Sequence, residues 1–455
     1  MSSIPLAFKD KNICILGLGY VGLTLATVMA ETGFNVNGIE IRDDVLELLN
    51  QGKPHFFEPG LEERLGNIIR TGKLTCNKTI PVESRSSVYI ITVGTPLGDN
   101  GKARIDMITN VAGEISSHLK NEDLVIMRST VRLGTTRDVV MPILKESGAD
   151  FDLAFCPERT IEGNALNELR ELPQIVGGLN LNSAVRASQL FHLITPTVVR
   201  VSDIETAELI KMIDNSYRDV TLAYSNEIAR ITDAVGISAA EAIKAGTLGY
   251  PRVTLPVPGP VGGPCLAKDP YILAEGLEPF NIRPEITMAA RKVNERQPAE
   301  SAAYVADVVK QISDWPEKPV ITLMGIAFKG KPETDDLRGT MARPIFWQFK
   351  KYFPNAVFRG FDPIVAKKTI ADFGLEPFEH VEAAAVGANL LVIMNNHPFF
   401  AKIPIENLAE KMARPSLIYD FWNNFNAADL NLPAGTGYAA LGSHGKALLP
   451  EGKPR

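Results

Sequence analysis

The chain of 455 residues has only four cysteines, Cys14, Cys76, Cys156 and Cys265, widely scattered and with no CxxC pair among them. That spacing argues against a disulfide framework and for a reducing compartment, the cytoplasm. Histidine is also sparse: six residues, His55, His118, His192, His380, His397 and His444, form no HxxxH and no Cys/His cluster, so no metal site is expected. No apolar run approaches the roughly 18 residues that a membrane-spanning helix needs. The opening MSSIPLAFKDKN lacks the apolar core of a signal peptide. A net charge of -6 gives no global electrostatic reason to bind nucleic acid or an anionic membrane. Any phosphate must therefore be held locally.

What the sequence does contain is an α/β rhythm broken once. Short apolar runs at 12–19, 34–41, 87–94, 124–130 and 152–157 read as buried strands, mostly separated by stretches long enough for a helix. Alternating strands and helices predict a parallel, doubly wound sheet. At Ser202 the character changes to an unbroken helical pattern through Val235, opened by a capping box of Ser202 and Glu205. A second helical stretch covers about 284–312, and the break WPEKP at 315–319 returns the chain to strands at 320–328, 356–363, 389–396 and 416–422. The expected fold is thus α/β, with two Rossmann-like domains joined by a helical region. The boundaries are expected at 1–201, 202–314 and 315–455, and the Pro/Gly/Lys-rich end from about His444 reads as frayed.

Two motifs carry chemistry. GLGYVG sets Gly17, Gly19 and Gly22 in a GxGxxG array between a strand and a helix, with Tyr20 and Val21 in its variable positions. The first glycine permits the tight turn, the second lets backbone approach a pyrophosphate, and the third allows close helix packing. Glu40 closes the next strand, 23 residues after Gly17, where a carboxylate bonds a ribose 2′-hydroxyl and repels a 2′-phosphate, favouring NAD. Arg42 close by is the feature that would favour the phosphate instead.

The second motif is PGPVGGPCLAKDP at 258–270, in which Cys265 lies on a glycine-flanked turn that no apolar periodicity explains. Most cysteines are small buried hydrophobes, as Cys14 in its strand reads to be. Cys265 reads instead as a nucleophile. A thiolate can add to an aldehyde, and the adduct can lose a second hydride to become a thioester, which makes a four-electron oxidant of a primary alcohol. On the long helix Lys211 and Asn215 share a face with Arg218, and spacing alone leaves two readings: a solvated stripe or donors to an oxyanion.

Together GLGYVGL (17–23), FEPGLEERL (57–65), TVGTPL (92–97), STVRLGTT (129–136), CPER (156–159), AELIKMIDNSYR (207–218), GGPCLAKDPY (262–271) and AFKGKPETDDLR (327–338) resemble the UDP-glucose/GDP-mannose dehydrogenase family over nearly the whole chain. The resemblance implies an N-terminal NAD domain, a central dimerisation region and a C-terminal nucleotide-sugar domain. It also implies oxidation of a sugar C6 alcohol to the carboxylate with two NAD. Position by position it makes Cys265 the nucleophile, Asp269 its supporting carboxylate, and Lys211 and Asn215 the oxyanion and water ligands, in contact with substrate. Thr130 and Glu158 match residues that position or activate water, Glu158 being the expected base. Thr95 and Thr130 would contact NAD, Lys329 would lie near the domain interface beside the cofactor, and Gly262, Arg252 and Arg338 would contact the nucleotide sugar, Arg252 from a partner subunit.

The loop Val261-Gly262-Gly263-Pro264-Cys265 differs from the Phe-Gly-Gly-Ser-Cys of the glucose-type branch and resembles branches that act on UDP-N-acetylhexosamines, mannosamine or glucosamine. Lys268 and Asp269 resemble the glucose type, so UDP-glucose stays as the second reading, with GDP-mannose third. A two-electron β-hydroxyacid dehydrogenase would have no use for Cys265, and an inactive binding homologue no use for Lys211, Asn215 and Asp269.

Overall fold

The strand runs are apolar on both faces because both faces are covered. In β1 (Asn12–Leu16), Ile13 and Ile15 enter one core while Cys14 and Leu16 enter another on the opposite side of the sheet. The computed structural model describes residues 4–5 and 7–450. They fall into two compact units, the first running to Asn215 with Lys268–Pro284 added, the second comprising Ser216–Ala267 and the chain from Glu285.

The first unit is built on an eight-stranded sheet. Its strands are β1, β2 (Asn35–Ile39), β3 (Leu74–Asn77), β4 (Val88–Ile91), β5 (Leu124–Met127), β6 (Asp152–Phe155), β7 (Gln174–Gly178) and β8 (Val198–Val201). Their order is β3-β2-β1-β4-β5-β6-β7-β8, parallel except where β7 pairs with β6. The order reverses between β1 and β4, which opens the crevice where dinucleotides bind in such sheets. The second unit repeats the plan with β9 (Val320–Met324), β10 (Val357–Phe361), β11 (Glu376–Pro377), β12 (Leu390–Ile393), β13 (Ser416–Asp420) and β14 (Thr436–Ala440). Their order β11-β10-β9-β12-β13-β14 is parallel throughout, with its own reversal between β9 and β12.

Two long helices supply the helical region, Ile204–Val235 and Glu285–Val309, close to the expected 202–235 and 284–312. The N-terminal cap differs from expectation. Asp203, not Ser202, accepts the N–H of Thr206 at 2.7 Å, and Glu205 turns away to pair with Arg137 at 2.6 Å. Two adjacent cap-competent residues offered two registers, and the carboxylate took the helix N-terminus. The expectation of a frayed end from His444 also fails over the described residues. The His444 ring stacks on Tyr304 with centroids 3.4 Å apart, its Nδ1 lies 3.0 Å from Asp233 Oδ2, and Leu448 pairs with Tyr438. Burial pushes the His444 pKa down to about 3, which keeps the ring neutral. Residues 451–455 lie outside the described chain.

Candidate active site

In the first unit, β1 runs through Gly17 into the helix Tyr20–Thr32, whose N-cap, Gly19, has no side chain to cap it. At the end of β2 the Glu40 carboxylate accepts the N–H of Leu18 at 3.2 Å and that of Arg42 at 3.0 Å, which fixes it beside the glycine turn. The Arg42 guanidinium is engaged by Asp44, with Nε 3.2 Å from Oδ1. Tyr20 turns its hydroxyl to the N–H of Gly163 at 2.7 Å, and Val21 is half-buried in the first turn of the helix. Beyond the strand ends, Thr95 Oγ1 donates to Thr130 O at 2.6 Å, tying the segments after β4 and β5 together.

A buried charged cluster stands close by in the same unit. Glu158, just past β6, accepts Arg128 Nε at 3.0 Å and Nη2 at 2.6 Å on one oxygen, and the N–H groups of Arg159 and Thr160, each at 2.8 Å, on the other. Burial raises its pKa, but the Arg128 guanidinium, the backbone donor and the charge of Lys211 outweigh burial and hold the carboxyl below its usual range. Lys211 and Asn215 are both buried, so the solvated-stripe reading of this face fails for them. Asn215 donates to Asp269, which is fully buried and accepts Lys268 Nζ at 2.7 Å. About one turn before Lys211 on the long helix, Glu208 accepts the N–H groups of Gly134 at 2.6 Å and Thr136 at 2.9 Å, holding the loop that follows Thr130.

In the second unit Cys265 is partly exposed, whereas Cys14, Cys76 and Cys156 are buried. Burial pushes the thiols of Cys76 and Cys156 up to about 12, and that of Cys14 further. The Cys265 loop is nested against backbone. Gly263 (φ +104°) donates its N–H to Gly339 O at 2.8 Å, and a Cβ on Gly262 would stand 2.2 Å from the same oxygen. Arg252 lies over the Tyr250 ring at 4.7 Å, Arg338 pairs with Asp336 at 2.7 Å, and Lys329 Nζ lies 5.5 Å from the Phe328 ring.

Residues 11–195 match the NAD binding domain of the UDP-glucose/GDP-mannose dehydrogenase family, residues 205–296 its central domain and residues 322–427 its UDP binding domain. The chain belongs to this family. A UDP-N-acetyl-D-mannosamine dehydrogenase of Pyrococcus horikoshii is 32% identical over 417 residues, 90% of this chain and 94% of that enzyme. An NDP-N-acetyl-D-galactosaminuronic acid dehydrogenase of Ralstonia nicotianae is 32% identical over 414 residues, 88% and 94% of the two chains. The solved structure of a UDP-D-ManNAc dehydrogenase from Pyrococcus horikoshii superposes with a TM-score of 0.85 at 30% identity, covering 95% of this chain and 99% of that one. The protein is an NAD-dependent nucleotide-sugar dehydrogenase.

As a member of the UDP-glucose/GDP-mannose dehydrogenase family it uses NAD, and the glycine turn of the first unit fits that cofactor. A Cβ on Gly19 would meet nothing within 4 Å, whereas one on Gly22 would stand 1.9 Å from Gly17 O, so the turn leaves one open approach to its backbone. Gly17 itself has φ +95°, which a side chain disfavours. Among the described residues of this dehydrogenase no group of three or more His, Cys, Asp or Glu could hold a metal ion, and no helix is long and apolar enough to cross a membrane. Sequence reasoning missed Arg128 and Glu208. Arg128 is an ionisable residue at the end of the apolar run LVIM, which was the available signal, whereas Glu208 sits in the mixed segment DIETAELIK and gave none.

Proposed function

We propose that the enzyme oxidises the C6 hydroxymethyl group of a UDP-N-acetylhexosamine, mannosamine or glucosamine, to the carboxylate through a thioester on Cys265. The observation that supports this best is the contrast among its cysteines: three are sealed in cores, and the partly exposed fourth sits on a loop whose glycines touch backbone. Bound NAD supplies the hydride acceptor for both two-electron oxidations. The Cys265 thiolate forms an S–C6 bond to the aldehyde left by the first, and Lys211 and Asn215 donate to the oxygen that gains charge. After the second oxidation, water adds to the thioester, the S–C6 bond breaks, and the thiol and the carboxylic acid separate. Thr130 and Glu158 hold that water, and the depressed pKa of Glu158 keeps it ionised to accept the proton at neutral pH. Asp269 fixes the Asn215 amide. Gly17, Gly19, Tyr20, Val21, Gly22, Glu40, Arg42, Thr95, Thr130 and Lys329 belong to the cofactor site. Gly262 and Arg338 contact the nucleotide sugar, as does Arg252 of the partner subunit.

We read the functional segments as 1–201, 202–314 and 315–455, working in the cytoplasm as a homodimer through the long central helix. Tyr217, Tyr224 and Ile231, seven residues apart on that helix, are 65%, 52% and 51% exposed, which is consistent with a covered face. The relatives named for N-acetylated sugars support the substrate class, as does Val261, a small buried side chain where the glucose-type loop carries a phenylalanine. UDP-glucose remains the second reading because Lys268 and Asp269, paired at 2.7 Å, resemble the glucose type. The expected result of a panel of UDP-sugars is a kcat/KM for a UDP-N-acetylhexosamine at least about tenfold above UDP-glucose, roughly 1.4 kcal/mol in transition-state binding. Equal or better turnover of UDP-glucose would transfer the assignment to it.

A further inference from the structure

We infer that Arg291 is a positioning residue for the nucleophile, acting on the Cys265 loop through two of its carbonyl groups; this rests on Cys265 being the nucleophile. Arg291 lies on the helix Glu285–Val309, and its side chain is only 1% exposed, which is unusual for an arginine. Its Nη2 donates to Val261 O at 3.1 Å and its Nη1 to Leu266 O at 2.9 Å. These two carbonyls bracket Gly262, Gly263, Pro264 and Cys265. The guanidinium therefore spans the loop from one end to the other.

The charge that makes this possible is balanced inside the second unit. Asp219, wholly buried on the long helix, accepts Arg291 Nη1 at 2.8 Å, and Glu295 Oε1 stands 3.4 Å from Nε. Asn294 donates to both the carbonyl and the carboxylate of Asp219 at 3.0 and 2.9 Å, which locks the acid in turn. Burying an arginine and an aspartate for stability alone is a poor arrangement, because desolvation offsets most of the attraction. A planar fork that reaches two carbonyls on opposite sides of a turn is something no apolar side chain and no lysine can reproduce. The Val261–Gly262 peptide that opens the turn and the Leu266–Ala267 peptide one residue beyond Cys265 are thereby fixed, and with them the direction of the Cys265 side chain. Gly263 also donates its N–H to Gly339 O at 2.8 Å, a further restraint on the same loop.

The test compares Arg291→Lys with Asp219→Asn in the full-length enzyme. Lysine can reach Asp219 but cannot bridge both carbonyls, whereas Asp219→Asn leaves the guanidinium on the loop and removes only the charge partner. Both variants are expected to melt at lower temperature. In Arg291→Lys alone, kcat should fall about 100-fold, the scale of a misplacement of about 1 Å, while KM for the sugar nucleotide changes less than about threefold. Alkylation of Cys265 by iodoacetamide, followed by mass spectrometry of its peptide, should also slow at least about fivefold with a displaced pH midpoint, since thiol reactivity follows its surroundings. Asp219→Asn should alkylate and turn over within about threefold of the parent enzyme. If Arg291→Lys does not fold, the Arg291→Gln/Asp219→Asn double variant removes both buried charges together and carries the same comparison. Unchanged alkylation and kcat in the folded variant would overturn the assignment, as would equal loss in both single variants. A Cys265→Ser enzyme that still makes the acid would instead overturn the nucleophile, leaving the alkylation comparison to judge the loop.

Discussion

Replacing Cys265 by serine is expected to lower formation of the acid by roughly three orders of magnitude or more, the scale on which a covalent nucleophile acts. A serine hydroxyl is a far weaker nucleophile than a cysteine thiolate. The first oxidation needs no sulfur, so the variant should still release a little NADH and form aldehyde without acid. Folding should be unaffected, because the oxygen replaces a sulfur that is only partly buried. Product analysis by mass spectrometry checks this, and near-normal acid formation would return Cys265 to the role of a packing residue.

The second large effect is expected from Gly22→Ala. Its Cβ would stand 1.9 Å from Gly17 O and 2.6 Å from Thr92 Oγ1. Thr92 Oγ1 donates to Gly17 O at 2.7 Å, so moving aside would break the bond that shapes the turn. Overpacking of this kind costs typically 1–3 kcal/mol, about 2–4 °C in Tm per kcal/mol in a domain of this size. The greater loss should be in cofactor use, with kcat/KM for NAD down at least about 100-fold and the thermal stabilisation by NAD gone, because the opening turn of the helix can no longer approach the strand. Stabilisation by UDP should survive, because residues 322–427, which match the family's UDP binding domain, lie in the second unit. Retained NAD stabilisation in the variant would mean that the cofactor does not lie on this turn.

Much of this was legible in the sequence, and the reasons differ from place to place. The glycine turn and the strands at 12–19, 87–94, 124–130 and 152–157 announced themselves because their apolar runs are nearly continuous, as a sheet covered on both faces requires, and 34–41 through its acidic end after the glycine motif. Strands β3, β7 and β8 did not: LTCN, QIVGG and VVRV lie towards the sheet edges and depend on tertiary pairing. The same holds for β14, whose TGYAA has little β-branched character. The partners of Arg128 and Arg291 were unreadable for a different reason. An arginine in a single sequence reads as surface, and only the fold reveals that Glu158 and Asp219, 30 and 72 residues distant, meet them in the interior. The His444 segment misled because its glycine, proline and lysine content resembles a free end, while Asp233 and Tyr304, which hold it, come from two helices far back in the chain.

The central claim is that one site performs both oxidations. The direct measurement is the amount of NADH formed per molecule of sugar-nucleotide acid, followed to completion with the preferred UDP-sugar and excess NAD. The account predicts two NADH per acid and no aldehyde released along the way. One NADH per turnover, with an aldehyde or ketone as the final product, would contradict it.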